Sequence, residues 1–220
     1  MRITFEEIKN NETIRTYIKK ADESLRSLGF TEHSFAHVTK VGVVARDILL
    51  KLGYSEREAE LAAIAGFMHD IGNVINRKDH AQSGAVMAFR ILDNMNCDPE
   101  DTATIITAIG NHDESTAFPV NPVAAALIIA DKTDVRRSRV RNIKEIEFDI
   151  HDRVNYAVEH SVMEMDVEKK IISLTLKIDT EYCAVMDYFE IFLTRMMLCR
   201  RAAEYFGMKF KLIINGAAML

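Results

Sequence analysis

The stretch AAIAGFMHDIGN, residues 62–73, is an apolar helical segment that runs directly into the adjacent pair His69-Asp70. An imidazole and a carboxylate are costly to bury without partners, so something polar should occupy the space in front of them. A divalent cation would satisfy both side chains. Because an apolar helix can also end in a polar pair that only caps it, the rest of the chain has to decide between these two interpretations.

The composition is that of an ordered globular protein. With 220 residues, 48% of them hydrophobic, the chain can bury one core, or one core and a small second domain. Its three cysteines are widely spaced and outside any CxxC pattern, which argues against a disulfide framework or a thiolate zinc site. The sequence contains neither a long apolar run nor a secretory N-terminal pattern, so we expect a cytoplasmic protein that makes no membrane contact.

Helical spacing of the apolar residues predicts a bundle over the first two thirds of the chain. We expect one helix from about Phe5 to Gly29 and a second from Ser34 to Gly53. A capping box at Ser55 and Glu58 predicts the start of a third helix, which reaches His69-Asp70 and is expected to end at Gly72. The remaining predicted helix starts are Asp79-His80, Asp98-Pro99 and Asn121-Pro122.

Beyond residue 143 the apolar pattern becomes alternating, which is typical of strands. It predicts two antiparallel strands, one around Val154, Tyr156 and Val158 and one over residues 172–178. We expect Asp179-Thr180 to cap a helix that stops at Gly207. A last strand is expected over residues 209–214.

The predicted fold class is therefore mainly α, a helical bundle followed by a small α+β unit with the order ββαβ. We place the boundary near Lys144, which gives a helical metal-binding domain of residues 1–144 and an α+β domain of residues 145–220. A ββαβ unit leaves a strand edge exposed, and pairing with a second copy would cover that edge. We therefore expect homodimerisation through the C-terminal domain.

Most of the histidines lie near predicted helix ends. Five of the seven fall between residues 33 and 112, namely His33, His37, His69, His80 and His112. The carboxylate Asp131 follows at the end of the sixth helix, which is so apolar that it must be largely buried. Because helix ends can converge on one cavity, these side chains together predict a metal site.

Four of these residues resemble the signature of the HD superfamily of metal-dependent phosphohydrolases. The signature is a histidine, then a His-Asp pair, then a distant aspartate, and His37, His69, Asp70 and Asp131 match it in order. The surrounding segments HVTKV (37–41), MHDIG (68–72) and IADK (129–132) look like the usual context, and the resemblance spans about residues 30–142. It implies an HD-type helical bundle in which these four side chains hold a metal ion.

His80 and His112 extend the resemblance to the subset of the superfamily that holds two metals. The resemblance then implies that Asp70 bridges to a second ion held by these two histidines. The role of Asp113, which follows His112, stays open. His33 lies one helical turn before His37 and is a rival ligand, but we favour His37 as the ligand and expect His33 to face the substrate.

The expected cofactor is one or two divalent transition-metal ions. Imidazole and carboxylate ligands suit manganese, iron, cobalt, nickel and zinc about equally well, so the sequence does not identify the metal. A pair of such ions can lower the pKa of an attacking water and stabilise charge in an in-line displacement. The resemblance thus implies hydrolysis of a phosphoester of a nucleotide or nucleotide-like small molecule, with Asp70, His69 and Lys132 as catalytic residues.

A basic stretch follows Asp131 and offers phosphate-binding groups. Lys132, Arg136 and Arg137 are the candidates, because arginine donates to phosphate oxygens in pairs. The alternative is a solvated helical face whose arginines pair with acids elsewhere. The aromatic residues that a single-strand binder interleaves with its basic groups are missing here, which argues against a nucleic-acid partner.

Two other functions share these ligands. Some HD-domain proteins are di-iron oxygenases with nearly the same histidine and aspartate set. The third possibility is a non-catalytic, metal-stabilised signalling or binding module.

Overall fold

The computed structural model describes residues 1–141 and 150–219, and in them the mainly α fold is confirmed. The helices are α1 (Phe5–Asn10), α2 (Glu12–Ser27), α3 (Phe35–Lys51), α4 (Glu56–Met68), α5 (His80–Asn94), α6 (Pro99–Gly110), α7 (Pro122–Lys132), α8 (Ile150–Ala157) and α9 (Val185–Tyr205). The strands are β1 (Val158–Asp166), β2 (Ile171–Ile178), β3 (Lys209–Ile214) and β4 (Ala217–Ala218). None of the described helices is long and apolar enough to cross a membrane.

Local capping explains why several helices start where the sequence predicts. Ser55 accepts a hydrogen bond from the backbone N–H of Glu58, whose carboxylate accepts from the backbone N–H of Ser55 in return. Asp98 and Asn121 cap α6 and α7 by accepting hydrogen bonds from backbone N–H groups of the first turn, and each lies directly before a proline. These caps satisfy backbone donors that have no partner inside the helix. They also fix where α4, α6 and α7 begin.

Two predicted elements near the N-terminal part of the chain differ from the structure. The single helix expected from Phe5 to Gly29 is split at Asn11. The Asn11 backbone is extended there, and its side chain caps α2 by accepting from the N–H of Ile14. The third helix ends at Met68 and not at Gly72, which lies in a 3-10 turn over Ile71–Val74.

Two predictions in the C-terminal part were wrong. Val154 and Tyr156 belong to α8, and the strand begins only at Val158. Val154 and Val158 are four residues apart, a spacing that one buried helix face also produces, so the alternation was ambiguous. Asp179 does not cap α9, which starts at Val185. Its carboxylate instead accepts from the N–H of Glu181 in a turn.

The C-terminal strands form one sheet with the order β1-β2-β3-β4. β1 and β2 are antiparallel, β2 and β3 are parallel with α9 as the crossover, and β4 adds a short antiparallel strand. The predicted ββαβ order is therefore present, with α8 before it and β4 after it. β1 lies at one edge of this sheet, and homodimerisation through the C-terminal domain remains a prediction.

The described part of the chain shares one hydrophobic core. Buried residues of α7, such as Leu127, belong to the same cluster as buried residues of α9, such as Phe192. The predicted boundary near Lys144 lies outside the described residues, so the division into two domains remains a prediction. The packing of α9 against α7 brings the C-terminal helix close to Asp131.

α3 and α4 approach each other closely at two glycines. A Cβ built on Gly66 would lie 2.7 Å from the Cα of Gly42, and a Cβ on Gly42 would lie 2.7 Å from the carbonyl oxygen of Ala63. No other residue fits these positions without moving a helix backbone. This close crossing places His37 of α3 beside His69, which directly follows α4.

Candidate metal centre

The structure brings the six predicted metal ligands together at the ends of five helices. The first group contains His37, His69, Asp70 and Asp131. His37 Nε2 lies 3.7 Å from Asp70 Oδ2 and 3.3 Å from Asp131 Oδ1. His69 Nε2 lies 3.1 Å from Asp70 Oδ2 and 3.6 Å from Asp131 Oδ1. Two imidazole nitrogens therefore face the same two carboxylates.

The second group is formed by His80 and His112, and Asp70 also faces it. His80 Nε2 lies 3.5 Å from Asp70 Oδ1 and 3.2 Å from His112 Nε2. Asp70 thus presents Oδ2 to the first group and Oδ1 to the second. Gly72 makes this possible, because a Cβ there would lie 2.0 Å from the carbonyl oxygen of His80.

The ring orientation of all four histidines is fixed through Nδ1. Three of the rings lie against backbone carbonyl oxygens: His69 against Gly66 at 2.7 Å, His80 against Arg77 at 3.0 Å and His112 against Ile109 at 2.6 Å. The fourth, His37, lies 2.8 Å from Asp134 Oδ2. A carbonyl or carboxylate oxygen can only accept, so Nδ1 carries the hydrogen in each ring. In its neutral form, each imidazole then turns an Nε2 lone pair towards the cluster, the arrangement typical of metal-ligating histidine.

Several buried polar atoms in the cluster need a positive partner. Among the described residues, His37 Nε2, His69 Nε2 and Asp70 Oδ2 are buried and form no hydrogen bond. Leaving such atoms unpaired costs about 1–3 kcal/mol each. At the second group two Nε2 lone pairs face each other, and a cation, Arg77 Nη1, already lies 3.3 Å from His80 Nε2. The residues therefore fit a divalent transition metal bound by nitrogen and oxygen donors.

The electrostatics of the cluster also favour cation binding. Burial lowers the pKa of His80 and His112, which keeps these imidazoles neutral and able to ligate. Burial acts in the same direction on His69, but Asp70 and Asp131 outweigh it and raise the pKa of His69 to about 10. A metal that binds at His69 therefore has to displace a proton.

Asp134 is a functional residue that sequence reasoning missed. This buried carboxylate accepts from His37 Nδ1 at 2.8 Å, from Lys40 Nζ at 2.6 Å and from Arg136 Nε at 3.0 Å. It holds the His37 ring in place and keeps its hydrogen on Nδ1. An acid one turn after Asp131 is the only local signal for it, and its partner lies on a distant helix.

A network of ion pairs that the sequence did not reveal surrounds Lys132. This buried lysine lies 2.6 Å from Asp131 Oδ2 and 3.3 Å from Glu114 Oε1. Arg195 Nε, from α9, lies 2.5 Å from the same Glu114 oxygen. Burial opposes ionisation of Glu114, but Lys132 and Arg195 outweigh it and lower the pKa of Glu114 to about 2. The C-terminal helix is thus linked to the metal cluster through ionised side chains.

A cavity of about 240 Å³ opens in front of the cluster. Of the predicted site residues, Asp70, Asp131, His80, His112, His33 and Lys132 line it. His33 lies beside His37, with ring centroids 5.6 Å apart, and its Nδ1 is 2.7 Å from the carbonyl oxygen of Thr31. The sequence did not single out further lining residues, which include Phe30, Arg77, Arg139, Phe192 and Arg195.

Arg136 and Arg137 lie away from this cavity. Arg136 pairs with Asp134 and Glu32. Arg137 Nε donates to the carbonyl oxygen of Tyr156, and its guanidinium lies 4.5 Å from the centroid of the Tyr156 ring. Their contact with substrate remains a prediction, whereas the contacts seen here hold local structure together.

Asp113 lies at the margin of the cluster. Its Oδ1 is 4.0 Å from His80 Nε2, and its Oδ2 accepts from the Ser115 hydroxyl at 2.5 Å. It is a candidate for a further ligand of the second group, and its role stays open.

Comparison with known proteins agrees with this geometry. The chain is 24% identical over 194 aligned residues to the uncharacterized protein MJ1020 of Methanocaldococcus jannaschii, with 77% of this chain and 74% of that protein covered. The sequence profile of the HD domain matches residues 34–175, more than half of the chain. This match includes all six candidate ligands and reaches into the C-terminal sheet. The chain therefore belongs to the HD domain family, as its histidine and aspartate pattern indicates.

Proposed function

We propose that this protein is a metal-dependent phosphohydrolase that cleaves a phosphoester of a nucleotide or nucleotide-like small molecule. The observation that carries the proposal is the convergence of unpaired Nε2 and carboxylate atoms beside a cavity that Asp70, Asp131 and several cationic side chains line. Family membership supports metal-dependent hydrolysis in general. The substrate class is the one that the resemblance to the HD superfamily implies, and the cavity lining supports it.

Two groups of ligands are available for divalent ions. His37, His69, Asp70 and Asp131 would hold one ion, and His80 and His112 would hold a second with Asp70 between them. Divalent ions bound there would lower the pKa of a water molecule and neutralise charge on the phosphoryl group. Asp70 and His69 would contribute to catalysis by holding the positive charge of the metal ions beside the cavity.

The chain itself supplies the groups that bind the phosphate. Lys132 is buried beside Asp131, lines the cavity and can donate to a phosphate oxygen without ordering a flexible surface side chain. Arg77 lies on the other side of His80 and adds a second cation. Such fixed donors stabilise the charge that develops on a phosphoryl group during displacement.

The cavity wall supports a nucleotide-like substrate. Phe30 and Phe192 line the cavity. Phe30 is 40% exposed, whereas Phe192 is buried, with Arg195 Cζ 4.7 Å from its ring centroid. The exposed ring of Phe30 offers a stacking surface for a base. A cavity lined by an exposed aromatic ring and by cationic side chains suits a ligand that carries a flat base at one end and a phosphate at the other.

The experiment that tests the proposal is phosphate release from a panel of nucleotides, with manganese, iron, cobalt, nickel or zinc supplied separately. Asp70→Asn should lose both metal retention and turnover while keeping the fold. Asp93→Asn is the matched control, because Asp93 is exposed and makes only a loose ion pair with Arg90 at 3.8 Å. Retained turnover in the Asp70 variant would refute the assignment. Dioxygen consumption with iron and no phosphate release would favour the oxygenase alternative.

A further inference from the structure

Arg195 reaches the cavity from the C-terminal helix α9. Arg195 lines the same cavity as Asp70 and Asp131, although it lies far from them in sequence. Its Nε is 2.5 Å from Glu114 Oε1, and its Cζ lies 4.7 Å from the centroid of the Phe192 ring. The two contacts hold the guanidinium plane in one orientation at the cavity wall.

Glu114 connects Arg195 to the metal cluster. The same carboxylate oxygen lies 3.3 Å from Lys132 Nζ, and Lys132 Nζ lies 2.6 Å from Asp131 Oδ2. Two cations thus share one carboxylate oxygen of Glu114, and Lys132 also pairs with Asp131. A metal ion held by Asp131 would take up the charge of that carboxylate and leave Glu114 as the shared counter-charge of Lys132 and Arg195.

The outer nitrogens of Arg195 are available for a ligand. Within the part of the chain that the structure describes, neither Nη1 nor Nη2 pairs with an acceptor, while Nε lies in an ion pair with Glu114. The side chain is 27% exposed, and the residue lines the cavity. A guanidinium held in this way offers two parallel N–H donors, a geometry that matches two oxygens of a phosphate.

We propose that Arg195 is a substrate-binding residue that, with Lys132, binds the phosphate oxygens not taken by the metal ions. The inference rests on the proposed function, because it assumes that the phosphate lies over the metal cluster. It makes the C-terminal unit part of the active site. Glu114 is then a positioning residue, which keeps both cations at the cavity wall.

The test measures binding of inorganic phosphate to the metal-loaded full-length protein by calorimetry. Arg195→Gln should weaken phosphate binding about 10- to 100-fold, the loss expected for a charge-assisted contact. Arg195→Lys keeps a charge near Glu114 and protects the fold if the glutamine variant is unstable. It should show a smaller loss, because it lacks the paired donors. Arg201→Gln is the matched control, since Arg201 is an exposed arginine on the same helix.

The outcomes separate this inference from the proposed function. Weaker phosphate binding in both Arg195 variants, with normal metal content and an unchanged control, supports the role of Arg195. Equal phosphate affinity in the Arg195 and Arg201 variants overturns it, as does a wild-type protein that binds no phosphate. Loss of metal together with phosphate would also overturn it, because Arg195 would then only support the structure.

Phosphate release by the wild-type protein is measured in parallel. Binding that depends on Arg195 without any hydrolysis would count against the phosphohydrolase and leave the phosphate contact standing. Hydrolysis at an unchanged KM in Arg195→Gln would count against Arg195 alone.

Discussion

Replacing Asp134 with asparagine should weaken metal binding while the protein stays folded. The Asp134 carboxylate accepts from His37 Nδ1 at 2.8 Å on one oxygen, and from Lys40 Nζ at 2.6 Å and Arg136 Nε at 3.0 Å on the other. Asparagine keeps one acceptor oxygen and turns the other into a donor. Its NH₂ group then faces either the two cations or the N–H of His37.

The expected losses of stability and of metal affinity follow from the hydrogen bonds that the Asp134 carboxylate no longer accepts. One charge-assisted hydrogen bond contributes about 1.5–3 kcal/mol, and Lys40 is partly exposed, so the free energy of unfolding should fall by about 2 kcal/mol. That is a minor part of the stability of an ordinary domain. Loss of a carboxylate that orients a ligating histidine typically lowers metal affinity about 10- to 100-fold.

The assay is chelator competition for bound metal, run beside urea denaturation of the same protein. Asp93→Asn, the exposed control, should match the wild type in both measurements. A variant of Asp134 that binds metal with wild-type affinity would refute the reasoning that this carboxylate orients His37. A variant that loses metal only because it unfolds would refute it as well.

Three further predictions follow from the geometry and the pKa shifts. Gly72→Ala should destabilise the protein and reduce its metal content, because the added Cβ would lie 2.0 Å from a backbone oxygen. Gly110→Ala is the control, since a Cβ there would lie 3.6 Å from its nearest neighbour, and it should match the wild type in urea denaturation and metal analysis. Metal affinity, measured by competition between pH 6 and 8, should rise with pH by up to about tenfold per unit, because the pKa of His69 is raised to about 10 and the proton must leave. The lowered pKa of Glu114, about 2, means that its ion pairs add stability above its unfolded pKa of about 4.5, and that this stability is lost as the pH falls from about 4.5 towards 2. Glu114→Gln should remove that part of the pH dependence in acid denaturation, and an unchanged acid transition would contradict the ion-pair assignment.

The parts of the fold that depend on local chemistry could be predicted from the sequence. Ser55 and Glu58 form their capping box within one turn, and Asn121 caps α7 directly before Pro122, so neither depends on a distant partner. The candidate ligands could be predicted because several histidines and aspartates recur at helix ends and four of them match the HD signature in order. The helix over Val154 could not, because its apolar spacing fits both a strand and a helix.

The parts of the site that depend on packing could not be predicted. Asp134 is recognisable only once α3 lies beside it and His37 donates to its carboxylate. Nothing in the local sequence distinguishes Arg195 from the other charged residues of α9, and only the packing of α9 against α7 brings it to Glu114. By sequence, Arg136 and Arg137 were the more obvious phosphate-binding cations. In the structure they pair with Asp134 and Asp179 and do not line the cavity.

The most direct test of the account is reconstitution of the metal-depleted protein. The protein is stripped with a chelator, metal is returned in measured amounts, and phosphate release from the nucleotide panel is followed together with metal content. We predict that release is lost on stripping and returns in proportion to the metal bound at the cluster of His37, His69, Asp70 and Asp131. Release that survives stripping, or a fully metal-loaded protein that releases phosphate from none of the nucleotides, would contradict the account.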